Sequence, residues 1–295
     1  MRAADSRLAL RATWLATRLG AAISPRAAGP FAARLWFTPW RVPVGARGLA
    51  RQEEWLKPTE SVTFEVDGRR LAGFTAGSGP GVLLVHGWGE RAASLGAFVD
   101  PLVGAGYRVV GVDLPGHGAS EGGRTDGFEV AAAIAAVAES AGGVRAAIAH
   151  SMGAMTTMYA VREGLALDAL VLLGSPARLE SGLAKFAEIF SLPPKAVAGL
   201  KAWIDRRYGA DVWDRISART IAPELDVPAL ILHDRDDPQV DFADAEALHA
   251  VLPQSRLVTT ETLGHGRILR DDTVVEAAVS FLREIAPARR VSAGA

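Results

Sequence analysis

A serine hydroxyl attacks a carbonyl only when a base removes its proton. An imidazole serves best as that base when a carboxylate fixes its tautomer. The 295-residue chain offers these groups in the order Ser151, Asp237, His265, with separations of 86 and 28 residues. Ser151 lies in Ala149-His150-Ser151-Met152-Gly153. A serine on a sharp turn between a strand and a helix presents its hydroxyl beside the unpaired N–H groups of the helix N-terminus, which can hold an oxyanion. The usual turn is Gly-x-Ser-x-Gly. Ala149 stands in for the first glycine and adds one methyl where strand and helix pass closely. The acid is open among Asp234, Asp236 and Asp237, which crowd one turn. The order Ser, Asp, His is that of one triad architecture among several.

Elements that could position these residues are legible around them. Val62–Val66 and Arg70–Phe74 read as a hairpin closed by Asp67-Gly68. Apolar runs follow at Val82–His86, Tyr107–Asp113, Val144–Ala149, Ala169–Gly174, Ala229–His233 and Arg256–Thr260. They alternate with helical stretches at Arg91–Val103, Phe128–Ser140, Met152–Arg162, Asp241–Val251 and Thr273–Ile285. Continuous apolar strands alternating with helices predict an α/β fold: a doubly wound, mostly parallel sheet of about eight strands with helices on both faces. Ser151, Asp237 and His265 all fall at ends of these strands.

The rhythm breaks between Ser175 and Val227, where short helical pieces at Glu180–Phe190, Ala196–Tyr208 and Ala210–Arg219 replace any strand. An insertion at a strand's carboxyl end lies where open α/β sheets bind ligands, so residues 176–227 read as a small helical cap. Phe186, Phe190 and Trp203 are its expected pocket residues, with Leu183, Tyr208 and Trp213 as further candidates. Each could instead serve only to hold the cap together. His86 and His117 read as structural loop residues, and His150 points to the far side of the turn from its neighbour Ser151. The Asp/His cluster matches no metal-ligand spacing, and no metal site is expected.

Jointly, His86-Gly87-Trp88-Gly89, Asp113-Leu114-Pro115-Gly116-His117-Gly118, the Ser151 pentapeptide, the turn ending at Asp237 and Gly264-His265 resemble the serine hydrolases of the α/β-hydrolase superfamily. The resemblance covers roughly residues 61–285 and implies the fold read above. Family spacing from the strand selects Asp237 as the triad acid, with Asp236 as runner-up. The backbone N–H groups of Trp88 and Met152 are implied as oxyanion donors. Serine at 151 argues against dehalogenase or epoxide hydrolase chemistry, which use aspartate there. The expectation is an esterase acting on a small to medium carboxylic ester through an acyl-enzyme, without a cofactor. An acyltransferase, a perhydrolase or a carbon–carbon bond hydrolase would use the same triad, and a non-catalytic receptor would have no need of one.

Composition narrows the partners. A net charge of −1 gives no footprint for nucleic acid, and the absence of cysteine excludes thiol chemistry and disulfides. The reading is a cytoplasmic protein. Charge is uneven, however. Residues 1–57, read as a basic, partly helical arm preceding a hydrolase domain at 58–295, hold ten Lys/Arg against three acids, a balance of about +7. Leu8, Ala12, Leu15, Leu19 and Ile23 recur on one helical face, bordered by Arg7, Arg11, Trp14 and Arg18. Such a helix is expected to pack its apolar face on the body of the protein. The alternative is peripheral contact with an anionic membrane surface. The tail after Pro287 is expected to be frayed.

Overall fold

The computed structural model describes residues 3–40 and 43–286, with side chains from residue 11 onward; the tail after Pro287 lies outside them. Eight strands form one sheet: β1 (Glu60–Val66), β2 (Arg69–Ala76), β3 (Gly81–Val85), β4 (Arg108–Val112), β5 (Ala146–His150), β6 (Ala169–Leu173), β7 (Ala229–Asp234) and β8 (Ser255–Thr260). Their order across the sheet is β1-β2-β4-β3-β5-β6-β7-β8. The β1–β2 and β2–β4 pairings are antiparallel, and all others are parallel. At the hairpin, Asp67 (φ 49°) and Gly68 (φ 73°) both take positive φ, as a primed two-residue turn requires.

Three helices precede the sheet: α1 (Ala3–Ile23), α2 (Pro25–Trp36) and α3 (Ala46–Leu56). Flanking helices are α4 (Val99–Gly104), α5 (Gly127–Ser140) and α6 (Met152–Arg162). The cap supplies α7 (Leu179–Ile189), α8 (Pro194–Tyr208), α9 (Val212–Arg215) and α10 (Ala218–Ile221). After β7 come α11 (Phe242–His249), α12 (Gly264–Arg267) and α13 (Asp272–Ile285).

Strands β3, β5 and β6 are buried along their whole length. Alternate residues sort to the two faces of the sheet: Leu83, Val85, Ala147 and Leu170 enter one core, while Val82, Leu84, Ile148 and Val171 enter the other. This two-sided burial is why the strands read as unbroken apolar runs. The edge strand β8 departs from that pattern and is half exposed.

The arm forms three helices, and α1–α2 join the cap. Gly29 in α2 and Gly199 in α8 mark a close crossing: a Cβ on Gly199 would stand 2.1 Å from the Pro25 carbonyl oxygen, and one on Gly29 would stand 2.6 Å from the Gly199 oxygen. Only glycine allows the two backbones to approach so closely. A third core forms here from Ala28, Ala32, Leu35, Leu183, Phe186, Leu200 and Trp213. The expected packing of α1 is inverted. Thr17, Gly20 and Ala21 are buried, while Leu15, Leu19 and Ile23 face outward. The expected helix at 210–219 is divided into α9 and α10 at Ser217, whose hydroxyl accepts the Leu179 N–H (2.9 Å) and whose extended backbone begins α10.

Candidate active site

The site lies at the carboxyl ends of the parallel strands. Ser151 sits between β5 and α6 with φ 54° and ψ −125°, a conformation that costs non-glycine residues about 1–3 kcal/mol and persists only when its surroundings enforce it. The enforcement is visible on both sides. The Ser151 N–H donates to the Leu173 carbonyl (2.9 Å), continuing the β5–β6 ladder past the strand end. Behind the turn, a Cβ on Gly153 would lie 2.3 Å from the His86 carbonyl oxygen, so the first turn of α6 can press against β3 only with glycine there. Ala149 is fully buried and tolerated. Met152 begins α6, where an N–H has no intrahelical acceptor.

His265, heading the short α12, shares a cavity wall with Ser151. Its Nδ1 contacts Asp237 Oδ2 at 2.6 Å. The other oxygen, Asp237 Oδ1, accepts the N–H groups of Gln239 (2.7 Å) and Val240 (3.0 Å). Burial alone would raise the Asp237 pKa. The His265 hydrogen bond and charge, with the two N–H donors, outweigh it and hold the carboxyl below its ordinary value. Asp236 is elsewhere: its side chain caps the Thr262 N–H (2.8 Å) at an exposed turn. Asp234 is bound to Thr260 Oγ1 (2.7 Å) and the Leu263 N–H (3.0 Å), which ties the two loops together.

Burial, followed by the positive field of His150, pushes the His265 pKa down; the Asp237 bond and charge oppose this without reversing it. A general base works only when neutral, so activity is lost as pH falls through this value. The acid limb of kcat/KM for an ester substrate is therefore expected below the ordinary histidine value of about 6.5. A limb centred above pH 7 in a pH–rate profile would contradict this setting.

A second buried pair, His150 and Glu90, adjoins the His265 backbone. His150 is fully buried, with Nδ1 3.0 Å from Glu90 Oε2 and Nε2 3.2 Å from the His265 carbonyl oxygen. Both partners are acceptors, so the ring satisfies both only as a doubly protonated imidazolium. Burial would depress its pKa, but the charge and hydrogen bond of Glu90 leave it raised. Burial would likewise raise Glu90, yet His150 and the Gly87 N–H carry it down to about 2. Glu90 Oε2 also accepts the Gly87 N–H at 3.0 Å. One carboxylate thus joins the loop after β3, the residue before Ser151 and, through His150, the backbone of His265.

His86 and His117 are neutral packing groups. His86 Nδ1 faces the Gly87 oxygen (2.7 Å) while Nε2 accepts the Leu114 N–H (3.0 Å), which fixes one tautomer. Burial lowers their pKa values to about 4 for His86 and about 3 for His117. The His117 ring stacks edge-on against His86 and against Trp88, each at 5.1 Å between centroids. Among the described residues, no group of three or more His, Asp or Glu has a metal-holding arrangement.

Ser151, Met152, Trp88, Asp237 and His265 line one cavity of about 740 Å³. Of the expected pocket residues, Phe186 and Tyr208 line it. Phe190 and Trp203 do not, because each is covered by an aromatic ring from the arm. Trp40 stands 5.1 Å from Phe190 and Phe37 stands 5.6 Å from Trp203, and these arm residues face the cavity instead. Leu183 and Trp213 likewise belong to the cap core.

Residues 82–278 match the family model of the alpha/beta hydrolase family. The chain belongs to that family. It is 36% identical over 104 residues to the pimeloyl-(acyl-carrier protein) methyl ester esterase of Methylococcus capsulatus, an alignment spanning 35% of this chain and only 40% of that relative's length. An enzyme of the same name from Neisseria meningitidis serogroup B is 28% identical over 228 residues, 64% of this chain and 86% of the relative. Among solved structures, an esterase from Pyrococcus furiosus superposes with a TM-score of 0.66 at 17% identity, covering 84% of this chain and 97% of that one.

Sequence reasoning missed two parts of this alpha/beta hydrolase's site. Glu90 was readable in principle, since an acid three residues after Gly87 can fold back onto that N–H. The wall formed by Trp36, Phe37 and Trp40 had only its aromatic composition as a signal. Trp36 meets Phe186 edge-on at 5.0 Å, and Trp40 lies 6.2 Å from Trp88.

Proposed function

We propose that this alpha/beta hydrolase cleaves small to medium carboxylic esters through a covalent acyl-enzyme on Ser151. The observation that carries the reading is the His265–Asp237 contact at 2.6 Å, in the cavity that also holds Ser151 on its strained turn. Ser151 Oγ adds to the ester carbonyl carbon while its proton passes to His265 Nε2. The N–H groups of Trp88 and Met152 receive the oxyanion, and Asp237 stabilises the imidazolium. Collapse breaks the bond to the alcohol oxygen, which takes the proton from His265. Water then attacks the acyl carbon, gives its proton to His265, and the acid leaves as Ser151 is reprotonated. Each oxyanion donor is worth roughly 100–1,000-fold in rate.

The cavity size suits a substrate of drug-like dimensions rather than a polymer. The aromatic side chains lining it favour an apolar acyl or alkyl group. Turnover of p-nitrophenyl esters from acetate to laurate tests the proposal: hydrolysis of the shorter members, falling off with length, is the expected profile. No turnover of any member by folded protein would refute it. Trp40→Ala opens the wall contributed by the arm and raises the ratio of long-chain to short-chain kcat/KM by about tenfold, within the range of a few methylene contacts. An unchanged chain-length profile would remove Trp40 from the substrate wall.

A further inference from the structure

We propose that the outer face of α1, together with Ile189 of α7, docks this protein onto an anionic lipid surface. The amphipathic pattern of α1 points the unexpected way. Its small-residue face, Thr17, Gly20 and Ala21, packs against the cap assembly, and its leucine face is left in solvent. Leu15 is 52% exposed, Leu19 61% and Ile23 79%. Ala12 and Ala22 complete the exposed stripe, and Arg11 and Arg18 border it. The helix is held in this orientation: Trp14 Nε1 donates to the Phe190 carbonyl (2.7 Å), and Arg18 donates to the Ser191 carbonyl (2.8 Å). Helix α1 is therefore fixed beside the end of α7. There Ile189 is 49% exposed and also lines the cavity, so it marks the cavity mouth.

Charge selects the occupant. No Asp or Glu occurs between Asp5 and Glu53, an interval that includes Arg7, Arg11, Arg18, Arg26, Arg34, Arg41, Arg47 and Arg51. Of these, Arg11 and Arg18 border the exposed stripe, and a second copy docking through the same face would bring them against their own kind. Anionic headgroups supply the opposite charge, and the acyl region accepts the leucines. Among the described residues, no helix is long and apolar enough to cross a membrane, so α1 would lie in the interface plane with its basic flank at the headgroups. Docking this way sets the cavity mouth at the lipid surface, where amphiphilic molecules partition. The docking stands on the exposed stripe and charge alone and does not depend on the chemistry proposed for Ser151.

The test is co-sedimentation of the full chain with vesicles of phosphatidylcholine alone and of phosphatidylcholine with phosphatidylglycerol. A triple variant, Leu15→Ser, Leu19→Ser and Ile23→Ser, is run beside it. The expected result is salt-sensitive binding to the anionic vesicles, weak binding to the neutral ones, and about tenfold less binding by the variant. An unshifted melting temperature would show the variant folded, and p-nitrophenyl acetate turnover would separately read the catalytic proposal. Absence of wild-type binding to anionic vesicles, or equal binding by both proteins, overturns the proposal. So does a wild-type dimer in light scattering that the variant converts to monomer, since the stripe would then be covered by a second copy.

Discussion

Replacing Ser151 by alanine is expected to lower ester turnover by about 10⁴- to 10⁶-fold and to abolish covalent labelling by a fluorophosphonate. The residual rate would come from the oxyanion donors and the bound geometry, which alanine leaves in place. Ser151 holds its turn through backbone contacts: its N–H bonds to Leu173, and its carbonyl accepts the N–H groups of Ala154 and Met155. Loss of the hydroxyl should therefore leave the melting temperature close to that of the wild type, so the kinetic loss can be assigned to chemistry. Labelling that survives in the alanine variant would place the nucleophile elsewhere.

Asp237→Asn is expected to reduce kcat by about 10⁴-fold with little change in KM. The substitution is close to isosteric, and an amide oxygen can keep the bonds from Gln239 and Val240. The amide nitrogen then faces His265 Nδ1, where it must donate. That forces the imidazole proton onto Nε2, the atom that has to accept the serine proton. Asp236→Asn serves as the control, because its side chain caps the Thr262 N–H at an exposed turn; rates within a few-fold of wild type are expected. A large loss at Asp236 with a small one at Asp237 would reverse the assignment made from the geometry.

The strands and the serine turn were legible because their signals are local. Six runs and the two arms of the hairpin at Asp67-Gly68 are short stretches bounded by turn residues, and each appears in the sheet within a few residues of its expected limits. Asp237 was separable from Asp236 only through family spacing; two N–H donors and the reach of His265 make the distinction physical. The arm was misread for a different reason. Periodicity shows that α1 has two faces but not which one turns inward. The inward face is set by the approach of Gly20 to the backbone of Ala27 and Ala28 and by the bonds from Trp14 and Arg18 to the Phe190 and Ser191 carbonyls, a long-range fit that no window of sequence contains. The segment 24–57, with prolines at 25, 30, 39, 43 and 58 around it, offered little apolar rhythm from which to read α2 or α3.

The crossing of α2 on α8 at Gly29 and Gly199 bears on where the selectivity proposed for this hydrolase is written. The stretch matching the family begins at residue 82 and contains Ser151, Asp237 and His265. Trp36, Phe37 and Trp40, which close one wall of the cavity, all precede it. The groups proposed to react and this wall of the cavity are thus encoded in separate parts of the chain and can diverge independently. Two chains could share every family motif and yet differ in this wall, because it lies outside the matched block. Test substrates chosen from the matched block alone would therefore ignore the share of the cavity lined by Trp36, Phe37 and Trp40.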